Sequence, residues 1–306
     1  MKYKLLILLT LLILSCSENA NPLSDNIDNN NYINSTLNFT GSDNTLDIIT
    51  WNIELFPKNE MTIEYVKESI DSLNVDIIAL QEITSTAELN NLKESLGGNW
   101  EAYRSGYGDY GELSFLINTD NIVSHNIPYT ILGTYYYDFS YREPYVLEFS
   151  YNNENFYLIN VHLKCCGNGT LDLNDETDEE TRRYNANQAL YNYIISSLNG
   201  ENVLIVGDYN DLLTDNVDNN VFEIFLNDSE NFQFTDYNIA NGSQTFWSFP
   251  SWPSHLDHIL ITNELFDNNP LTATVLIDNS MNGYFESYEQ YISDHRPVGI
   301  SLYIVP

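Results

Sequence analysis

From about residue 45 the chain alternates short, almost unbroken runs of Ile, Val, Leu and aromatic residues with polar stretches. The runs are LDIITWNI (46–53), VDIIALQEI (75–83), LSFLIN (113–118), YVLEFSY (145–151), NFYLINVHL (155–163), NVLIVGDYN (202–210), LDHILIT (256–262) and VGISLYIV (298–305). Their length and β-branched content predict strands. Several are apolar at successive positions, so both faces of those strands should be covered. Ile63, Val66, Ile70 and Leu73 recur at helical spacing, as do Ala186, Ala189 or Leu190, Tyr193 or Ile194, and Leu198. Residues 145–163 read as a hairpin turning at Asn152-Asn153. Mixed parallel and antiparallel strands with outer helices predict an α/β fold, a four-layer sandwich of two packed mixed β-sheets flanked by helices. No internal repeat is evident.

The beginning of the chain has a different character. MKYKLLILLTLLILSC carries two lysines, an apolar run from Leu5 to Leu14, then Ser15 and Cys16. That is the layout of an export signal, and the run is too short for a spanning helix. Ile13-Leu14-Ser15-Cys16 resembles the lipobox of bacterial lipoproteins, which makes Cys16 the expected site of lipidation and residues 1–16 a lipoprotein signal peptide. Residues 17–44, rich in Asn, Asp and Ser, read as a flexible polar tether. The folded domain is expected over 45–306, in the cell envelope, lipid-anchored or secreted, touching a membrane only through the N-terminal lipid and acting as a monomer.

Charge narrows the partners. The whole chain has a net charge of −33, and loss of Lys2 and Lys4 with the signal takes it to −35. Such a field repels nucleic acids and anionic membranes at long range and concentrates cations, so a phosphate substrate would need a metal and a few well-placed arginines. If Cys16 carries lipid, only the neighbours Cys165 and Cys166 remain, either as a strained disulfide or as two thiols, and no disulfide framework exists. The acidic stretch CCGNGTLDLNDETDEE (165–180) places Asp172, Asn174 and Glu176 at calcium-loop spacing. It lacks the glycine at the sixth position and the acid at the twelfth, and reads as a solvated loop.

Candidate chemistry gathers where the apolar runs stop, the place where α/β folds put ligands. These residues are Asn52 and Glu54 in TWNIEL, Glu82 in LQEI, His162 in NVHLK, Asp208 and Asn210 in VGDYN, Asp257 in HLDHIL, and Asp294 with His295 in SDHRP. Each alone has an ordinary structural explanation as a turn cap or solvated strand end. Together they require the same coincidence many times. Hard oxygen donors such as Glu82, Asp294 and the Asn52 carbonyl suit Mg²⁺, Mn²⁺ or Ca²⁺. A His beside an Asp can be kept protonated near neutral pH, and Asp208 with Asn210 could orient or deprotonate a water.

The ordered set WNIE, LQE, GDYN, LDHIL and SDHRP resembles the endonuclease/exonuclease/phosphatase family over about residues 45–306. This metal-dependent phosphoesterase superfamily includes deoxyribonuclease I, exonuclease III, bacterial sphingomyelinases and inositol-polyphosphate phosphatases. The resemblance implies that Asn52 and Glu82 hold the metal with Asp294 nearby, Glu54 assisting. It implies that Asp208 orients or activates the nucleophilic water with Asn210 beside it, and that His295, oriented by Asp257, contacts the scissile phosphate. YGELSFLIN and FSYREPYVLEF resemble the deoxyribonuclease I branch. They nominate Glu112 as partner of a second histidine, His162, and Arg142 as the arginine that grips substrate phosphate. Two departures from that branch are Thr84, where it carries an arginine, and the lack of its disulfides.

The function so implied is a divalent-metal-dependent phosphodiesterase, a cell-envelope or extracellular endonuclease that hydrolyses DNA phosphodiester bonds. Two alternatives stay open. One is the same chemistry on sphingomyelin or another non-nucleic-acid phosphoester, and the other is a surface binding protein without catalysis. TFWSFPSWP (245–253) offers an aromatic loop that could stack on bases or on a headgroup, or simply pack; Arg182 and Arg183 read as the solvated start of a helix, and His125, His255 and His258 as structural.

Overall fold

The first strand, β1 (Leu46–Phe56), explains why the apolar runs are unbroken. Leu46 and Ile48 enter one core while Ile49, Trp51 and Ile53 enter another, and all five are fully buried. The structure is a computed structural model describing residues 37–106, 111–281 and 285–305. After β1 come α1 (Thr62–Leu73), β2 (Ile77–Ile83), α2 (Thr86–Ser95), β3 (Trp100–Arg104), β4 (Glu112–Asn118), β5 (Val123–Ser124) and β6 (Tyr129–Thr130). Then follow β7 (Tyr145–Tyr151), β8 (Glu154–His162), α3 (Glu179–Ser197), β9 (Asn202–Asp208), α4 (Glu223–Leu226), β10 (Phe232–Phe234) and α5 (Tyr237–Ala240). The chain closes with β11 (Asp257–Thr262), β12 (Leu271–Thr274), α6 (Phe285–Tyr291) and β13 (Val298–Leu302).

Two mixed sheets result. One has the order β12-β13-β1-β2-β4-β3 and the other β10-β11-β9-β8-β7-β5, with β6 also pairing β7. Each is built around one parallel pair joined by a helix, β1 with β2 through α1 and β8 with β9 through α3. The sheets pack face to face over Leu46, Ile48, Leu113, Phe115, Leu147, Leu158, Leu204 and Ile259. Outer apolar layers lie under α1 and α2 on one side, with Val66, Ile70, Leu89 and Leu92, and under α3 on the other, with Ala186, Leu190 and Ile194. The four-layer α/β sandwich expected from the sequence is the observed architecture. The turn at Asn152-Asn153 has both residues at positive φ, 50° and 67°, as a two-residue hairpin needs.

Strand alternation carries the fold toward its site. Leu46, Ile48, Thr50 and Asn52 share the inter-sheet face of β1, as Phe156, Leu158, Asn160 and His162 do on β8, Leu204, Val206 and Asp208 on β9, and Asp257, Ile259 and Ile261 on β11. The apolar core therefore gives way to polar side chains at one end of the sandwich. A buried polar plug marks the change. Gln81 Nε2 donates to Asn160 Oδ1 (2.7 Å) and Thr50 Oγ1 (3.0 Å), and Asn160 Nδ2 donates to the carbonyls of Leu80 (3.0 Å) and Ser114 (3.1 Å).

The expected signal peptide, Cys16 and residues 17–36 of the expected tether lie outside the described residues. Residues 37–44 do not behave as a tether. Asn38 Nδ2 donates to the Thr274 carbonyl (2.7 Å) and its Oδ1 accepts from Leu276 N (2.9 Å), while Gly41 N donates to the Leu73 carbonyl (2.8 Å). Phe39 is buried over Gly299, where a Cβ would stand 2.8 Å from its ring. Leu37 and Phe39 supply the apolar anchors that an average over a polar stretch conceals. No helix among the described residues is long and apolar enough to cross a membrane.

Candidate active site

The end of β1 is the first wall. Beyond Asn52 the backbone leaves the pleat, with Glu54 and Leu55 at φ 38° and 50°, and Glu82 at the end of β2 sits at φ 64°. Such conformations cost non-glycine residues energy and persist where surrounding contacts impose them. Here the contacts are visible. Asn52 Nδ2 donates to Glu82 Oε1 (3.1 Å) and to Asp208 Oδ2 (3.0 Å), its Oδ1 accepts from Glu54 N (3.1 Å), and Leu55 N donates to Glu82 Oε2 (3.0 Å). Asn52 thus ties the two sheets together at the mouth.

The second wall comes from β8 and β9, where His162 and Asp208 are register partners and their side chains approach to 3.5 Å, Nε2 to Oδ2. That approach needs glycine next door. Gly207 has φ 152°, and a Cβ there would lie 1.9 Å from the Val161 carbonyl. Asn210, at φ 55°, donates its backbone N–H to Asp208 Oδ1 (2.9 Å), so both carboxylate oxygens are fixed, one by Asn210 and one by Asn52. The Asn210 side chain itself donates to the Leu163 carbonyl (3.3 Å).

The third wall is the 293–295 turn. Ser293 Oγ donates to the Asn52 carbonyl (2.7 Å) and accepts from His295 N (2.9 Å). The His295 carbonyl accepts from Tyr288 OH (2.6 Å) and Trp51 Nε1 (3.3 Å). His295 Nδ1 is 2.7 Å from Asp257 Oδ2, and the Phe249 ring packs on the imidazole with centroids 4.8 Å apart. Nε2 then points into the space between two other carboxylates, 3.9 Å from Asp208 Oδ2 and 4.0 Å from Asp294 Oδ1. Both gaps are too long for a direct hydrogen bond.

Electrostatics separates the two histidines. Burial disfavours the charged form of His295, but Asp257, Asp208 and Asp294 outweigh it and raise the pKa to about 10, so the ring is an imidazolium at neutral pH. Burial pushes His162 well below 6.5, and Arg142 and His295 push it further, leaving a neutral ring. Asp208 is raised to about 7, chiefly by burial, with His295 pulling it down and Asp257 and Glu82 pushing it up. Asp294 rises to about 6, through burial first, with the charges of Glu54 and Glu82 adding to it and His295 opposing.

Some expected roles change. Glu112 and His162 do not pair. His162 Nδ1 is buried without a hydrogen-bond partner among the described residues, and Glu112, the first residue of β4, instead accepts at Oε2 from Ser105 Oγ (3.3 Å) with its carboxylate against Gly106. Arg142 donates to backbone through Nε on the His162 carbonyl (3.2 Å) and Nη2 on the Leu163 carbonyl (3.1 Å), so it braces the end of β8 and keeps Nη1 and the second Nη2 hydrogen for other partners. Glu54 binds Lys58 and accepts from Asp294 N (3.0 Å), which makes it an anchor for the 293–295 turn.

Arg182 and Arg183 are buried, contrary to the solvated helix start expected of them. Arg182 donates to the Tyr137 carbonyl and lies over the Tyr137 ring, 4.1 Å from its centroid. Arg183 pairs with Asp211 (2.7 Å) and Glu180 (3.4 Å). His255 and His258 both approach Asp236 Oδ2, at 3.1 Å and 2.6 Å, and His258 Nε2 lies 3.0 Å from the Asp211 carbonyl, so the three form a second buried cluster. In the 245–253 loop Phe249 covers His295, while Phe246 and Trp252 are exposed.

A fold of two stacked mixed sheets with acids, amides and histidines converging at their strand ends defines a phosphoesterase-type α/β sandwich. The chain belongs to the endonuclease/exonuclease/phosphatase family, whose model matches residues 49–295. Among solved structures it is similar to D. rerio TDP2 complexed with single-strand DNA product (TM-score 0.61, 13% identity, covering 85% of this chain and 99% of that one). It is also similar to the human Nocturnin catalytic domain with bound sulfate anion (0.59, 15%, 84% and 92%) and to an endonuclease/exonuclease/phosphatase family protein from Bacteroides thetaiotaomicron (0.56, 16%, 84% and 97%). A search of curated proteins by sequence finds no match. Members of this family are generally phosphoesterases or nucleases and commonly use divalent metals.

The residues fit such an ion. Asn52, Glu82, Asp294 and Glu54 offer hard oxygens, and a cation would offset what raises Asp294, burial first and then the charges of Glu54 and Glu82. Among the described residues Asp208, Asp257 and His295 also form a compact group of metal-type ligand atoms. The imidazolium within that group repels a cation, so His295 is not a ligand in this state.

Proposed function

We propose that this protein is a divalent-metal-dependent phosphodiesterase that cleaves DNA as an endonuclease. The observation that carries this reading is His295, held by Asp257 at Nδ1, with Nε2 3.9 Å and 4.0 Å from the Asp208 and Asp294 carboxylates, which favour its charged form. A charged donor held short of both neighbours is prepared for a third partner, and an anionic phosphoryl oxygen meets its charge and geometry. Asp208, with a pKa raised to about 7 and both oxygens oriented, takes the proton from an attacking water. The imidazolium stabilises charge on the phosphoryl oxygens as the ester bond breaks, and Arg142, near enough to Asp208 and Glu82 to feel their charges, adds positive charge beside them. A divalent ion held by Glu82, Asp294 and Asn52 would offset substrate charge when bound.

DNA is favoured as substrate by the structural neighbour that holds single-strand DNA product. A net charge of −33 gives little counterion release, so binding should be weak without millimolar divalent cation. The export signal and Cys16 support a place in the cell envelope, with the lipid as the membrane contact. The test incubates the protein with supercoiled plasmid and with sphingomyelin vesicles, in Mg²⁺, Mn²⁺ or Ca²⁺ or with chelator. Cation-dependent nicking supports the nuclease, whereas lipid cleavage beside intact plasmid keeps the chemistry and replaces the substrate.

A further inference from the structure

Cys165 and Cys166 follow β8 directly, three and four residues beyond His162, and both are exposed with free thiols. Cys166 Sγ donates to Cys165 Sγ at 3.0 Å, and Lys164 Nζ stands 3.8 Å from the same Cys165 sulfur. The Cys166 thiol holds its proton more tightly than usual because of that hydrogen bond and its partial burial. Cys165 is therefore the attacking sulfur and Cys166 the one that resolves.

We infer that this pair is a reversible oxidation site that closes to a disulfide by exchange with a low-molecular-weight disulfide, and that the closed ring slows hydrolysis at the adjoining site. The second half rests on the hydrolase reading above. In the first step the Cys165 thiolate attacks one sulfur of the small disulfide, forming a mixed disulfide and expelling one thiolate. Cys166 sulfur then attacks Cys165 sulfur and expels the second thiolate. The two cysteine protons end on the two released thiols, the cysteines are oxidised by two electrons and the small disulfide is reduced by two.

Closure must move backbone. Adjacent Cα atoms are about 3.8 Å apart, below the roughly 4.4–6.8 Å that disulfides prefer, and strained bonds of this kind are readily reduced again. The segment that moves is firmly tied to the site. Arg183 Nη1 donates to the carbonyls of Lys164 (2.7 Å) and Cys166 (2.8 Å) while its Nε holds Asp211, three residues beyond Asp208. The Leu163 carbonyl, two residues before Cys165, accepts from both Arg142 and Asn210. Cys166 is already at φ 71° with Gly167 at 115°, so this turn has little room to adjust without displacing those carbonyls.

The experiment treats the full chain with glutathione disulfide, blocks remaining thiols and digests with trypsin. Cleavage after Lys164 and Arg182 gives a peptide, 165–182, that contains both of these cysteines and excludes Cys16. The expected result is loss of two hydrogens from that peptide, reversed by dithiothreitol, with phosphodiester turnover falling several-fold and recovering in parallel. A double Cys165→Ser, Cys166→Ser variant should keep the reduced enzyme's turnover and lose the response. A persistent glutathione adduct on either cysteine, or disulfide-linked dimers, overturns the dithiol. Ring formation with unchanged turnover overturns the coupling alone. Absence of turnover in both redox states counts against the hydrolase reading, and the peptide mass still decides the dithiol.

Discussion

Replacing Asp257 by Asn removes a charge from behind His295 while keeping the shape of the side chain and an oxygen able to accept from Nδ1. In the wild type the His295 pKa moves from 6.5 to about 10 although burial opposes it, and Asp257 is the leading favourable cause, followed by Asp208. At about 1.4 kcal/mol per pKa step, the surrounding carboxylates hold that proton by roughly 5 kcal/mol net. With the Asp257 share gone and burial unchanged, the pKa returns to the neutral range and the ring is mostly uncharged at pH 8. Loss of a positioned charged donor costs about 10²- to 10⁴-fold in turnover. The assay is turnover of a chromogenic phosphodiester against pH, beside the imidazole NMR titration. The wild type should show activity rising through about 7, as Asp208 loses its proton, and falling near 10, as His295 does. These limbs belong to the coupled group as a whole. Asp257→Asn should bring the alkaline limb down by at least about two pH steps. An unmoved alkaline limb with a uniformly lowered rate would refute the assignment of Asp257 as the charge that holds the His295 proton.

Three further outcomes follow from the same contacts. Asn160→Ala removes three hydrogen bonds from the plug between the sheets, leaves a space beside Gln81 and takes from the buried carbonyls of Leu80 and Ser114 a donor each, so urea unfolding should report a loss of about 2–4 kcal/mol. Arg183→Met leaves Glu180 and Asp211 buried without their cation and should cost about 3–5 kcal/mol, measured in the same way. Asp294, raised from 3.8 to about 6, contributes stability that is present at low pH and is lost as pH rises through 6. A divalent ion replaces the missing proton, so Mg²⁺ should raise Tm more at pH 8 than at pH 5, and Glu82→Gln should abolish most of that gain; equal gains at both pH values would contradict the ion's placement.

Much of this arrangement was legible because strand parity links apolar runs to the residues that end them. The sequence spacing of Leu204, Val206 and Asp208, or of Asp257, Ile259 and Ile261, already places the acid on the core face of its strand. The short edge strands β3, β5, β6, β10 and β12 were not legible, because an edge pairs on one side and needs no apolar run. The packing of Leu37 and Phe39 was hidden by the polar residues around them, and the burial of Arg182 and Arg183 depends on Tyr137 and Asp211, distant in sequence. Glu112 was assigned a partner by likeness to a family branch. The geometry of one side chain at the end of β4 lies beyond the reach of such likeness.

The most direct measurement is hydrolysis of bis-p-nitrophenyl phosphate by the full chain in saturating Mg²⁺ or Mn²⁺, beside His295→Ala, Asp208→Asn and a chelated control. This substrate asks only for phosphodiester chemistry and is indifferent to DNA or lipid recognition. Phosphodiester hydrolysis at the junction of the two sheets predicts cation-dependent turnover that each substitution lowers by about 10³-fold or more, since each removes a group proposed to contact the reacting phosphate or water. No turnover with any divalent ion, or turnover that survives both substitutions, would contradict it.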